Sequence, residues 1–398
     1  MKLLNRAYLP YLAELALAMF LLGLFFPIRA AQSIGFGLAL LTAILALVSK
    51  PRANRPGVWI LACLSLLAAG IWGSANATIP EDSWRHFWSY QTIGKGIVCA
   101  LALSLVGISE RQFGRILFLL AILLFARNVQ MLIFGYHHPV FLGGIYIIDP
   151  TIHIRYRNQA DHIIVLLPFL LAWLLNTRTR KHAYLAMGAC LVEAILLAST
   201  GWRGAFLGFV AAVTAVLVFY RAWGPLLAMA GSILLLPLFA LLSKGNLIAS
   251  ALSRGTNDNS RISLIWKPVL NMIGEQPYTG YGFGQRRFIE VFQQYAAHHP
   301  NSLIPPDAHN MVLNFAMAAG LPGALAFLLI LVTALFLCAR GWKQCLARNH
   351  NAMLAGCFAA WLGTYGLLGL TDQPHYNLLA ALAVLTSVSL AKRSDAET

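Results

Sequence analysis

His309 and a small set of arginines are the residues of this chain whose types and positions can do chemistry. An imidazole titrates close to neutrality, so His309 can take a proton from a hydroxyl and act as a general base. Asp307, two residues earlier, is a good helix N-cap, which predicts that His309 lies in the first turn of the apolar helix that follows. The dipole at a helix start disfavours imidazolium and keeps the ring ready to accept. Arg261, in Asn259-Ser260-Arg261, opens an amphipathic stretch. A guanidinium fork at a helix start suits phosphate, because Arg and the free backbone N–H groups both donate. Lys267 adds a cation to the same stretch. Arg203 stands in the tight Trp202-Arg203-Gly204 turn, and Arg155 and Arg157 stand in Ile154-Arg155-Tyr156-Arg157, each before an apolar run. Any one of these can merely snorkel to lipid headgroups, and His309 alone can be an interfacial residue without a task. Together they match a polyanionic substrate at a membrane surface.

Metal chemistry fits less well. His298, His299 and Asp307 are close in sequence, but their spacing matches no standard zinc pattern. The chain has no P-loop, no HExxH and no Asp-x-Asp to hold a divalent cation for a sugar nucleotide. The expectation is chemistry with no metal, no nucleotide and no other cofactor.

The composition says what must position these residues. Apolar residues make up 59% of the 398 and charged ones 11%, too few charges to cover a soluble chain of this length. The class is an all-α integral membrane protein. The net charge of +15 does not mark a nucleic-acid partner, because the cations sit in short clusters between apolar runs. Of the six cysteines only Cys345 falls outside an apolar span, and no disulfide framework is implied.

About twelve apolar spans of roughly 16–25 residues are expected, at 9–27, 31–48, 57–73, 94–108, 113–134, 161–176, 182–199, 204–220, 223–242, 309–339, 352–370 and 376–391. The first follows Lys2 and Arg6 like a signal peptide, but its length and the spans directly after it make it a retained helix. No internal repeat of the transporter kind is present. With the N-terminus in the cytoplasm, sixteen of the 29 basic residues fall in short inner loops or tails, as the positive-inside rule requires. Twelve spans return the C-terminus to the same side. The chain then divides into spans 1–9 over 1–242, an extracytoplasmic loop over 243–308, and spans 10–12 with a cytoplasmic tail over 309–398.

The long loop reads as two surface helices. Ile262, Ile265, Trp266, Val269, Leu270 and Ile273 form one helical stripe, with Pro268 as a kink, and Phe288, Val291, Phe292 and Tyr295 form another. Between them lies the turn-rich Pro277-Tyr278-Thr279-Gly280-Tyr281-Gly282-Phe283-Gly284, which has no strand before it and is no dinucleotide fingerprint. The expected arrangement is an amphipathic lid resting on the bilayer. Glu14, Arg127 and Glu193 are intramembrane charges and candidates for function by default, or a structural pair such as Arg127 with Glu193. They keep a transporter of a lipid-linked or anionic solute as an alternative.

The order and spacing of several short motifs resemble the bacterial O-antigen ligase family. They are Trp202-Arg203-Gly204 in a tight outer turn, Ser260-Arg261 early in the long loop, the Gly-Tyr-Gly-x-Gly run at 280–284, His309-Asn310 entering the next span, and Gly320-Leu321-Pro322-Gly323. The resemblance implies a GT-C-like fold with one large periplasmic loop, in the bacterial inner membrane, with the active site facing the periplasm. It implies metal-independent transfer of O-antigen from undecaprenyl pyrophosphate to the lipid A–core oligosaccharide, among membrane lipids. It carries the family's essential arginines onto Arg203 and Arg261 and its essential histidine onto His309. An O-antigen polymerase and a protein O-oligosaccharyltransferase share this layout. The end of the chain soon after the last span, at Thr398, weighs against the protein-glycosylating kind. Arg261→Lys is expected to abolish transfer, because an ammonium lacks the guanidinium fork; full activity of that variant in a transfer assay would reduce Arg261 to a point charge.

Overall fold

A peptide group in a bilayer must be hydrogen-bonded within the protein, so an apolar chain resolves into helices. The computed structural model describes residues 2–26, 28–49, 57–90, 92–106, 108–134, 153–176, 180–199, 203–231, 262–295, 305, 307–344, 351–372, 374 and 376–391, and among these no strand occurs. Five of the described helices are long and apolar enough to cross a membrane: Tyr8–Phe25, Arg29–Val48, Gly57–Ala75, Met311–Trp342 and Ala352–Thr371. Shorter apolar helices stand at Ile93–Leu103, Gln112–Ala126, His162–Asn176, Gly204–Phe219 and Tyr376–Leu390. A helix also covers Arg180–Ser199. Helical residues 223–231 begin the ninth expected span, the rest of which lies outside the described residues.

Glycines mark where helices approach most closely, and they fix relative direction. A Cβ on Gly356 would lie 2.4 Å from the Phe169 ring, and one on Gly363 would lie 2.9 Å from Ile164. The helix Asn351–Thr371 and the helix His153–Asn176 therefore run in opposite directions. The same glycine, Gly363, would place its Cβ 2.4 Å from the Gly208 carbonyl oxygen and 2.9 Å from Ala212, while Gly208 meets Leu368. The helix Arg203–Phe219 is thus antiparallel to it as well. Gly341 beside Leu354 and Gly369 beside Met311 give the same result for the helix Met311–Gln344. Three helices therefore begin at the end of the bundle where Asn351–Thr371 finishes, next to Asp372. Indole N–H groups add polar ties inside the bundle, Trp59 to Ser387 Oγ at 2.7 Å and Trp361 to Thr386 Oγ1 at 2.8 Å.

The Met311 helix is not continuous. Ala319 (φ −135°, ψ 21°) and Gly320 (φ 68°, ψ −171°) interrupt it just before Pro322, whose missing N–H and ring favour a break there. The glycine-rich run of the long loop closes this gap. Tyr281 N–H donates to Met317 O at 2.8 Å and Gly282 N–H to Ala318 O at 3.0 Å, while Leu321 N–H reaches Pro277 O at 2.7 Å. Side-chain anchors extend the seam, Trp72 Nε1–H to Tyr278 O at 2.9 Å and Phe283 N–H to Ser83 Oγ at 2.8 Å.

The loop helices are Lys267–Glu275, entered through a π-helical turn at Ile262–Trp266, and Gln285–Tyr295. Pro268 sits at the second position of its helix, directly after that π-helical turn. The expected lid on the bilayer is corrected here. Val269, Met272 and Ile273 pack against Phe288, Val291 and Phe292, and both sets pack on Ala316 and Met317 of the Met311 helix. Periodicity reveals an apolar face but not its cover. Here the cover is largely protein, and only Ile262 and Leu270 of the predicted stripe stay exposed. Tyr295 also donates to the Glu275 carboxylate, tying the two loop helices together; this bond, with a second to Tyr281, pushes the Tyr295 hydroxyl pKa up. Gly320→Ala is expected to destabilise the protein by about 2 kcal/mol or more, because the new Cβ would meet Tyr278 and Pro277 backbone at 2.6 and 2.7 Å and φ is 68°. A clear drop in melting temperature in detergent is the measurement; a wild-type melt would contradict the close seam.

Candidate functional site

His309 lies at the end of the bundle where the three helices begin, but not in the helix that sequence patterning assigned it. Asn310 is the N-cap: its Oδ1 accepts from the N–H groups of Val312 at 2.9 Å and Leu313 at 3.1 Å. Asp307 instead accepts from His309 N–H at 2.7 Å, closing a tight turn before the helix. His309 itself takes φ 48°, the left-handed region, which few non-glycine residues enter. Both residues are cap formers by type, and which one caps is decided by where the chain leaves the loop. His309 is therefore outside the first helical turn, and the dipole is not what prepares its ring.

A carboxylate prepares it. Asp372 Oδ1 lies 2.9 Å from His309 Nδ1, and Asp307 Oδ1 lies 3.4 Å from the same nitrogen. With a carboxylate at Nδ1, the favoured neutral tautomer carries its hydrogen there and leaves Nε2 as an acceptor. The Asp372 side chain is 6% exposed and that of His309 17%, so the acid is buried behind a ring that solvent and ligands still reach. Asp372 closes the Asn351–Thr371 helix in extended conformation, with its N–H on Leu368 O at 2.8 Å. Asn310 Nδ2 donates to Leu370 O at 3.1 Å and fastens the two elements side by side. Sequence patterning passed over Asp372. Its only signal was an acid in the connection between the last two spans, on the side of the bundle that also holds His309.

The turn is also held from the loop. Trp266 Nε1–H donates to Ala308 O at 3.0 Å, and Ala308 N–H to Asn314 Oδ1 at 2.9 Å. Lys267, the next residue, opens its helix and is exposed. Arg261, one residue before Ile262, lies outside the described residues, as do His298 and His299. Among the described residues no group of three or more His, Cys, Asp or Glu gathers to hold a metal ion.

The other candidate arginines are placed by backbone alone. Arg203 is the first residue of its helix, and Arg155 and Arg157 lie in the first turn or so of His153–Asn176; their side chains lie outside the described residues. Arg155 precedes Ile164 by nine residues, and Asp372 follows Gly363 by nine. Both are therefore displaced to the same side of that crossing. Arg203, five residues before Gly208, is on that side too. The backbone thus brings the starts of both arginine-bearing helices to the level of the His309–Asp372 pair.

The intramembrane charges sit differently. Glu14 accepts from Gln112 Nε2 at 2.7 Å and pairs with Arg115 Nη2 at 3.3 Å. Ser109 and Gln112 form a reciprocal capping box there, so Glu14 braces a helix start. Glu193 is buried, and the Arg127 side chain lies outside the described residues.

Residues 166–328, somewhat less than half of the chain, match the family model described as O-antigen ligase. No curated protein matches the chain. The resemblance drawn from the short motifs is borne out over that stretch, which is similar to the O-antigen ligase family. It takes in Arg203, Arg261, Lys267 and His309, and leaves Arg155, Arg157 and Asp372 on either side.

Proposed function

We propose that this O-antigen ligase family chain is a membrane glycosyltransferase that moves a finished polysaccharide from undecaprenyl pyrophosphate to a sugar hydroxyl of lipid A–core. The observation that carries the proposal is the His309–Asp372 pair, 2.9 Å apart, at the bundle end where the Arg203 helix and the Arg155–Arg157 helix begin. Asp372 holds the Nδ1–H tautomer and balances the imidazolium that forms. His309 Nε2 takes the acceptor hydroxyl proton, and the oxygen attacks the anomeric carbon, inverting it. Undecaprenyl pyrophosphate leaves with the bonding electrons. Arg261 and Arg203 neutralise the charge growing on it, and Arg155, Arg157 and Lys267 hold its phosphates. Each preorganised donor of this kind is worth roughly 3–4 kcal/mol.

In this proposal the site faces the periplasm, the long loop over 243–308 is periplasmic, and both termini are cytoplasmic in the inner membrane. That orientation rests on the charge bias of the short loops. It agrees with the helix directions, since the helices that start at the His309 end are the ones expected to start outside.

The deciding assay joins carrier-linked glycan to lipid A–core with purified protein in detergent, with chelator present. Transfer is expected to continue with chelator. His309→Ala is expected to keep donor binding and lose about 10²–10⁴-fold in transfer rate, and Asp372→Asn about 10²-fold, through the wrong tautomer. Wild-type transfer by His309→Ala would remove the base assignment. In cells, loss of the gene should leave long polymer on its carrier; single repeats on lipid A–core would indicate a polymerase instead.

A further inference from the structure

We infer that Trp266 is a positioning residue for His309: its indole N–H clamps the peptide unit whose orientation aims the imidazole, so the base is assembled only when the loop helix is docked. The inference rests on His309 being the base.

The peptide unit between Ala308 and His309 is held at both ends. Its carbonyl, on Ala308, accepts from Trp266 Nε1 at 3.0 Å, and its N–H, on His309, donates to Asp307 Oδ1 at 2.7 Å. Rotation of this peptide plane is what would return φ of His309 from 48° to the negative values that non-glycine residues prefer. Rotation would pull both groups from their partners, and Ala308 is fully buried, so its carbonyl would lose its indole partner without solvent to replace it. The neighbouring peptide is fixed as well, because Ala308 N–H is held by Asn314. A left-handed φ alters the direction of Cβ, and with it the reach of the ring towards Asp372.

The two supports of the ring come from different parts of the molecule. Asp372 is the extended residue that directly follows the helix ending at Thr371 and acts on the side chain. Trp266 belongs to the π-helical turn that opens the loop helix and acts on the backbone. The same turn begins one residue after Arg261. One hydrogen bond thereby joins the opening of the loop helix to the turn that carries His309. A half-buried aromatic that merely finds a partner for its N–H would leave transfer unchanged when that N–H is removed.

The test compares wild type, Trp266→Phe, Asp372→Asn and the double variant in the detergent transfer assay. Trp266→Phe is expected to lower kcat about 10–50-fold with KM for donor and acceptor unchanged within about 2-fold, the effect of a misplaced catalytic group. In the Asp372→Asn background the same change is expected to cost less than about 3-fold, since the pair it serves is already broken. A kcat within about 2-fold of wild type would overturn the inference, as would an equal loss in both backgrounds or a loss confined to KM. If Trp266→Phe is not recovered as a monodisperse protein, benzothienylalanine at position 266 removes only the N–H, with the same expected and contrary results. His309→Ala in the same assay separates the two ideas: wild-type transfer there sinks the base itself, whereas an inactive His309→Ala beside a fully active Trp266→Phe sinks only the positioning role.

Discussion

The interruption at Ala319 and Gly320 leaves backbone groups without helical partners inside an apolar bundle, where each unpaired group would be costly. Tyr281, Gly282 and Pro277 supply the missing partners from a segment some forty residues earlier in the chain. That exchange inserts the polar loop into the bundle as a structural part of it. The half-helix beginning at Met311 then has loop helices on one side, through Ala316 and Met317, and the main core on the other, through Phe315, Ala318 and Ala319. His309, just before this half-helix, inherits both contexts.

Electrostatics follow from the same arrangement. Antiparallel crossings at Gly356, Gly363 and Gly369 bring several helix starts to one end of the bundle, where partial positive charge collects. Arg155, Arg157 and Arg203 stand at the first turns of two of those helices by backbone position. Asp372 and Asp307 lie against the imidazole and serve the ring. The imidazole at that end is thus paired with carboxylates and is not isolated among helix starts.

Much was legible in residue order. The apolar runs gave helices because chain periodicity and bilayer chemistry allow little else. His309 stood out by type and place, and the O-antigen ligase resemblance followed from motifs whose spacing is linear. Gly280, Gly282 and Gly320 were visible as glycines, yet their positive φ and the contact of Gly280 with Gly320 required the folded chain. The same holds for Asp307, a cap former by type that holds the N–H of the residue two places on.

The sequence by itself determined the helical membrane class, the two amphipathic loop helices and the identity of the candidate base, because hydrophobic period and residue chemistry are local properties. Only the tertiary structure decided that Asp372, 63 residues away, faces His309 Nδ1, that Trp266 grips the peptide before it, and that the loop stripe packs largely on protein. Those are contacts between distant segments, set by close helix approach at glycine and by the need to satisfy every buried backbone group, and no local pattern carries them.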